Sequence, residues 1–203
     1  SLGANTTGSN NTAIGYNALD ANTTGGSNTA VGMAALTDNV DGEENVAIGR
    51  AALGNNTGGS FNIAIGKGAL AANTTGGYNT AVGRLALDAS TTASNNTAIG
   101  YAALGANTTG VQNTAVGSYA ADAISTGSNN TALGQAALGS GTTCDYNVAI
   151  GFEALKNTTT ASDNVAVGRE ALKNCNANSN VAVGSFSLFT QTDGGTKNCA
   201  LGN

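Results

Sequence analysis

The side chains that could do chemistry in this 203-residue chain are few and widely spaced. There is no histidine, so the commonest general base and metal ligand is missing, and neither a Ser-His-Asp nor a Cys-His arrangement can form. The glycine-rich phrases lack the Gly-x-x-x-x-Gly-Lys-Ser/Thr pattern of a phosphate-binding loop. We therefore predict that the protein is not an enzyme, and we assign no catalytic, cofactor-binding or metal-binding residues and no cofactor.

The cysteines and the densest acidic cluster also have simple structural interpretations. Cys144, Cys175 and Cys199 are odd in number and occupy different places in the sequence pattern, which does not indicate a disulfide framework. We interpret them as small apolar substitutes. The acidic segment 38–44 does not have the ligand spacing of an EF-hand loop, so we interpret it as a solvated turn.

Aromatic side chains are the best candidates for ligand contact, because they could stack on sugars. We nevertheless favour packing against neighbouring loops for all six of them: Tyr16, Phe61, Tyr78, Tyr101, Tyr146 and Phe152. Asn-x-Ser/Thr sequons recur because the sequence is repetitive, and we interpret them as structural. They begin at Asn5, Asn10, Asn22, Asn55, Asn73, Asn95, Asn107, Asn129 and Asn157.

Composition excludes several classes of partner. The formal net charge is −5, and the seven Lys and Arg residues form no basic stripe, so we expect no nucleic-acid partner. No stretch is long and apolar enough to insert into a membrane. The chain has 30 glycines and no proline, which is typical of a tightly coiled β structure, because glycine supplies positive-φ corners and proline would remove a backbone donor.

The element that must position these residues is a five-residue motif, Asn-x-Ala-(Ile/Val/Leu)-Gly, that returns about every 17 residues. Nine consecutive intervals are 17 residues long, and the last two are 16 and 18. A period this short cannot enclose its own core, so each copy must pack against its neighbours. The copies begin at Asn11, Asn28, Asn45, Asn62, Asn79, Asn96, Asn113, Asn130, Asn147, Asn164, Asn180 and Asn198.

Counted from the motif Asn as position 1, the repeat has strict preferences. Asn, Ala and Gly fill positions 1, 3 and 5 in all twelve copies, and position 4 is always Ile, Val or Leu. Position 2 is Thr in six copies and otherwise Val, Ile or Cys. Ala and Leu dominate positions 8 and 9, and Thr pairs such as Thr108–Thr109 fill positions 13 and 14. These short segments between Gly and Asn turns indicate strands and corners.

Charged residues never occur at positions 1 to 5, 8 or 9, which indicates a stacked interior, since burying unpaired charge is costly. We expect the Ile or Val of position 4 to lie in this interior with Leu of position 9. The Ala and Gly face of the strand is then free for close contact with another rod. The motif Asn would form an internal amide ladder along the axis.

The sequence thus predicts an all-β protein, a β-solenoid of about twelve 17-residue coils forming a single array over residues 1–203. A helix is disfavoured because each interior Gly would cost about 1 kcal/mol. One coil buries few apolar side chains compared with the entropy lost on ordering it. We therefore expect the chain to be its own partner in a homo-oligomer.

The phrase Asn-Thr-Ala-Ile-Gly at 11–15 and 96–100 resembles the Asn-Ser-Val-Ala-Ile-Gly signature of YadA-like head repeats in trimeric autotransporter adhesins. The longer phrase at 15–25 and 100–110 is similar to repeats of phage tail fibres and bacterial surface fibres. The resemblance covers essentially the whole chain, although the adhesin repeat is typically shorter. It implies a left-handed β-roll, a parallel homotrimer, and an extracellular location on a virion or a bacterial surface.

The function expected from these features is that of a structural or adhesive fibre shaft, as a piece of a longer fibre that presents an attachment surface. An alternative is a segment that binds a host-surface glycan or receptor. A second alternative is an ice-binding solenoid, because Thr ladders can order water. We disfavour ice binding because Asp41 and Gly58 interrupt position 14 and because adjacent Thr residues would face opposite sides of a strand.

Overall fold

The computed structural model describes residues 1–191 and 195–202, and these form a parallel β-solenoid with no helix. Positions 2 to 4 of each motif form a three-residue strand, where β-branched side chains favour extended backbone. These strands are β1 (Thr12–Ile14), β2 (Thr29–Val31), β3 (Val46–Ile48), β4 (Ile63–Ile65), β5 (Thr80–Val82), β6 (Thr97–Ile99), β7 (Thr114–Val116), β8 (Thr131–Leu133), β9 (Val148–Ile150), β10 (Val165–Val167), β12 (Val181–Val183) and β14 (Cys199–Leu201). Two shorter strands, β11 (Asn174–Cys175) and β13 (Thr190–Gln191), pair with each other.

Equivalent motif residues stack directly on one another. The twelve motif strands form one parallel sheet in chain order, with Thr12 beside Thr29 and Ala13 beside Ala30. The pairing is unchanged across the 16-residue and 18-residue intervals, because Val181 lies beside both Val165 and Cys199. Extra and missing residues are therefore absorbed outside the strands. The result is a rod of about eleven 17-residue turns, because twelve motif strands enclose eleven intervals; the 17-residue spacing is as predicted, and the number of turns is one fewer than the twelve predicted coils.

The position of the core reverses the predicted orientation of the strand, in which Ile or Val of position 4 faced inward and the Ala and Gly face was free to contact another rod. Ala of position 3 is fully buried, as Ala98 shows, together with Ala and Leu of positions 8 and 9, as Ala103 and Leu104 show. Position 4 faces outward instead, and Ile99 is 39% exposed. The predicted interior position of Ile and Val was therefore wrong. The coil is narrow at the strand, so the small Ala side chain fits between the strand and the Leu of the opposite wall.

The motif Asn residues form the predicted internal ladder. The backbone N–H of Asn62 donates to Oδ1 of Asn45 in the preceding coil at 3.0 Å, and the side-chain Nδ2 of Asn62 donates to the same oxygen at 3.1 Å. Asn62 Nδ2 also donates across its own coil to the carbonyl oxygen of Gly76 at 2.9 Å. The ladder therefore joins successive coils and also fixes the shape of each coil.

A second Asn ladder runs along position 12, and the sequence pattern did not predict it. Asn39 Nδ2 donates to Oδ1 of Asn22 at 2.8 Å and to the carbonyl oxygen of Gly42 at 3.0 Å. The same pattern links the coils from Asn5 to Asn73. This ladder stops where position 12 becomes Ser90.

The corners of each coil use left-handed backbone at residues other than glycine. On the two sides of β6, Asn95 has φ 62°, Ala102 has φ 52° and Leu104 has φ 51°. L-residues rarely adopt this region, and it is unusual for a core leucine. The tight coil therefore imposes backbone strain that the stacked ladders must offset.

Candidate functional site

The reactive side chains are dispersed over the rod. Cys144 and Cys175 are buried, and burial raises the pKa of the Cys144 thiol to about 11. Burial also raises the pKa of Cys175. Their burial agrees with their interpretation as apolar substitutes, whereas Cys199 at position 2 is exposed. Among the described residues there is no pocket and no group of His, Cys, Asp or Glu that could hold a metal ion.

The acidic segment lies on the surface, as predicted for a solvated turn. Asp38, Asp41, Glu43 and Glu44 are all exposed. Within the same segment Asn39 and Gly42 are buried, because Asn39 belongs to the position 12 ladder and its amide binds the Gly42 carbonyl. The segment is therefore held by the coil itself.

The only extensive ion-pair network among the described residues is near the end of the rod. Lys173 Nζ lies 2.6 Å from Glu153 Oε2 and 2.9 Å from Glu170 Oε2, and Lys156 Nζ lies 2.5 Å from Glu153 Oε1. Hydrogen bonds from Lys156 and Lys173 lower the pKa of Glu153, and the bond from Lys173 lowers the pKa of Glu170. The network joins adjacent coils, which indicates a structural role.

The Thr pairs form bends, not strands, and their two members differ. Position 13 hydroxyls donate to a backbone carbonyl of the next coil, as Thr108 Oγ1 does to Ser125 O at 2.9 Å. Position 14 hydroxyls are exposed, as at Thr109 and Thr126. One Thr ladder is thus used to hold coils together, and the other forms an exposed corner.

The largest continuous surface feature is the outward side of the twelve-stranded sheet, the strand face, made by the side chains of positions 2 and 4. It carries no charge in any copy. Its large apolar side chains are exposed or half-buried along the whole rod, and the exposed ones include Ile14 at 62%, Ile48 and Ile99 at 39% and Leu201 at 78%. An uncharged apolar surface of this length is typical of an interaction site.

Two rows of exposed or half-buried residues border the strand face. The leading edge is the residue before each motif Asn, and the trailing edge is position 6. The leading edge contains Asn10, Ser27, Glu44, Phe61, Tyr78, Asn95, Gln112, Asn129, Tyr146, Asp163, Ser179 and Lys197. The trailing edge contains Tyr16, Met33, Arg50, Lys67, Arg84, Tyr101, Ser118, Gln135, Phe152, Arg169 and Ser185.

The aromatic side chains, considered above as glycan contacts, all lie on these edges. On the leading edge Phe61 and Tyr78 stack with ring centroids 4.9 Å apart and planes 9° apart. On the trailing edge the Arg84 guanidinium lies 5.6 Å above the Tyr101 ring, and Tyr101 makes an edge-to-face contact with Tyr119. Packing between adjacent coils therefore accounts for part of the surface of Phe61, Tyr78 and Tyr101, as predicted for them, while Tyr78 stays 62% exposed and Tyr16 75% exposed.

Comparison with protein families, curated proteins and solved structures finds no match for this chain. None of the described residues forms a helix that is long and apolar enough to cross a membrane. The strand face and its two edges are thus the features on which a function can be argued.

The strand face was not predicted from the sequence, although a signal for it was present. Charge is excluded from positions 2 and 4 as strictly as from position 3. We interpreted this exclusion as a mark of the interior alone. Thr, Val, Ile and Cys exchange at position 2, which fits a half-exposed site better than a fixed core position.

Proposed function

We propose that this chain is the shaft of a homo-oligomeric fibre, in which several copies pack their strand faces around a common axis. The supporting observation is the strand face itself, which is uncharged, largely apolar, and exposed or half-buried in the single chain over all twelve strands. Covering it would remove a full-length row of Ile, Val and Leu side chains from water, which favours association.

Three copies, a left-handed coil and an extracellular location are part of the proposal through the resemblance to YadA-like head repeats and tail-fibre repeats. A rigid rod with ladders along its whole length suits a shaft, since each coil is held by both neighbours. Presentation of an attachment surface by this shaft is the adhesive role that we propose.

A charge placed on the strand face tests the proposal. In Ile99→Lys a charged group would have to enter the packed face, so we expect dissociation to single chains. Thr109→Lys adds the same charge on the exposed Thr corner and should leave the oligomer intact. Light scattering after gel filtration measures both masses. A wild type that is a single chain, or an Ile99→Lys variant with the wild-type mass, would contradict the proposal.

Ice binding is a second candidate, because the strand face repeats Thr, Val and Ile at the strand spacing of about 4.8 Å on a regular sheet. It requires the face to be free, so it excludes burial of the same face in a fibre. A single chain that shows thermal hysteresis, lost in Ile99→Lys, would favour ice binding. An oligomer without thermal hysteresis would favour the fibre shaft.

A further inference from the structure

We infer that the occupant of the strand face is a second copy of this chain, parallel and at the same height, oriented by pairing of the leading edge of one copy with the trailing edge of the next. The inference rests on the proposed self-association. The resemblance already implies the parallel direction, and the inference adds the edge residues that pair between copies and the axial alignment. It depends on the charges and aromatic groups of the two edges.

The two edges carry complementary groups at the same coil. Glu44 and Arg50 border β3, and Asp163 and Arg169 border β10. These are the only two carboxylates of the described leading edge, and each has an Arg across its own strand.

The remaining trailing-edge cations have an aromatic group across their own strand, although Arg84 also lies above the Tyr101 ring of the next coil in its own chain. Phe61 and Lys67 border β4, and Tyr78 and Arg84 border β5. A cation is attracted to the face of an aromatic ring. Every cation of the described trailing edge therefore shares its coil with a carboxylate or an aromatic group, and no coil carries like charges on both edges.

Within one chain these partners cannot meet, because the strand lies between them: five residues separate Glu44 from Arg50. Among the described residues neither Glu44 nor Arg50 makes an ion pair within 4.0 Å. Arg169 binds the Glu170 carboxylate through Nε and lies 5.1 Å above the Phe186 ring of its own chain, so only its remaining guanidinium N–H donors are left for a second partner. The complementarity is thus available to a neighbouring chain.

Symmetry decides which edges meet. In a closed ring of parallel copies all strands run in the same sense around the axis, so each leading edge meets the next copy's trailing edge. Rotation about the common axis of the ring does not shift a copy along that axis, so residues of the same coil come together. Glu44 of one copy then meets Arg50 of the next, and Asp163 meets Arg169.

An antiparallel pair with full overlap gives the opposite result. It places the leading edge of one copy against the leading edge of the other. It also brings the third coil from the N-terminal end of one copy against the third coil from the C-terminal end of the other. These are the coils of Asn45 and Asn164. Glu44 would then face Asp163, and Arg50 would face Arg169. Like charges meet at both places, so the edge charges favour the parallel arrangement.

Charge reversal at Glu44 distinguishes the two arrangements. In the parallel ring Glu44→Arg faces Arg50 of the next copy, so we expect the dissociation constant to rise about three- to tenfold per interface. Adding Arg50→Glu should restore it to within about twofold of wild type. Glu43→Arg makes the same charge change one residue away, off the edge, and should alter it less than about twofold. In an antiparallel pair Glu44→Arg would strengthen association instead.

Cysteine cross-linking gives an independent test of direction. Thr12 and Cys199 occupy position 2 at the two ends of the sheet, about 50 Å apart at the strand spacing. In a Thr12→Cys variant a parallel ring links like with like: two introduced cysteines, or two copies of Cys199. An antiparallel pair links an introduced cysteine to Cys199. Peptide mapping of oxidised protein distinguishes these products.

The experiments distinguish a failure of the proposed function from a failure of this inference. If the wild-type chain does not self-associate, the proposed fibre function fails and the inference fails with it. If it associates but Glu44→Arg has no effect or strengthens association, or if the introduced cysteine links to Cys199, only the parallel, same-height arrangement is overturned.

Discussion

The side-chain amide of Asn73 donates a 2.8 Å hydrogen bond to Oδ1 of Asn56 in the preceding coil, while its own Oδ1, buried in the rod, has no hydrogen-bond donor among the described residues. The position 12 ladder would supply that donor from the next coil, where the residue is Ser90. Ser90 Oγ is also buried without a partner. One interrupted step thus leaves two polar atoms unsatisfied.

Ser90→Asn should therefore stabilise the protein. The new amide would donate to Asn73 and accept from Asn107, which continues the ladder, and we expect a gain of about 1–2 kcal/mol in the free energy of unfolding. Urea unfolding followed by circular dichroism measures it. Thr92→Asn, at an exposed position of the same coil, is the control and should change stability by less than about 0.5 kcal/mol. A destabilised Ser90→Asn variant would contradict this account of the ladder.

Two glycines of one coil should respond in opposite ways to alanine. Gly49 has φ 129°, and a Cβ there would lie 2.7 Å from the Gly66 backbone of the next coil. Gly49→Ala should therefore cost about 3 kcal/mol or more, since backbone strain and a backbone clash add. A Cβ at Gly54 meets nothing closer than 3.5 Å, so Gly54→Ala should be neutral or up to about 1 kcal/mol stabilising. If urea unfolding showed that Gly49→Ala and Gly54→Ala lose the same free energy of unfolding, the close approach of coils at position 5 would not limit stability.

The Glu153–Lys173–Glu170 network should make stability fall in acid. The pKa values of Glu153 and Glu170 are lowered in the folded protein by their Lys partners, so their contribution is present above the unfolded value of about 4.3 and is lost as pH falls through the folded values. Glu153→Gln combined with Glu170→Gln should reduce the loss of melting temperature between about pH 5 and pH 3.

Comparing the double variant with wild type also controls for the other titrating carboxyl groups. Burial raises the pKa of Asp88 and Asp122, which favours the folded state as pH falls, but both groups are present in wild type and variant and cancel in the difference. Melting curves at matched ionic strength measure the effect. An unchanged pH dependence in the double variant would show that the network contributes nothing.

The three cysteines should differ in reactivity. With a pKa of about 11, Cys144 is thiolate in about one molecule in a thousand at pH 8, and it is buried as well. Cys175 is also buried, whereas Cys199 is exposed on the strand face of the single chain. A thiol reagent should modify Cys199 in Ile99→Lys, the variant expected to dissociate, and more slowly in the assembled wild type. Rapid modification of Cys144 in native protein would contradict the fold.

The period of the sequence predicted the parallel solenoid and the motif Asn ladder, because identical residues at constant spacing stack only in register. It did not predict the orientation of the strand. A three-residue strand can place either Ala98 or its neighbours Thr97 and Ile99 inside, and hydrophobicity favours the larger side chains, whereas the narrow coil accepts only the small one. The sequence also contained no signal for the left-handed backbone of Leu104, since leucine has no intrinsic preference for that region.

The strand face and its edges were accessible to sequence reasoning only in part. The absence of charge at positions 2 and 4 was visible, but its meaning depends on which side of the strand faces water. The relation between Glu44 and Arg50 depends on knowing that β3 lies between them, with both groups exposed at one height. Such a relation appears only once the coil is built.

Sedimentation equilibrium of the wild-type chain over a wide range of concentrations tests the central claim most directly. If the strand face is covered by other copies of the chain, the mass is an integral multiple of the single chain, and three copies is the value that we propose. A protein that sediments as one chain up to millimolar concentration would leave the strand face open to water and would contradict the account.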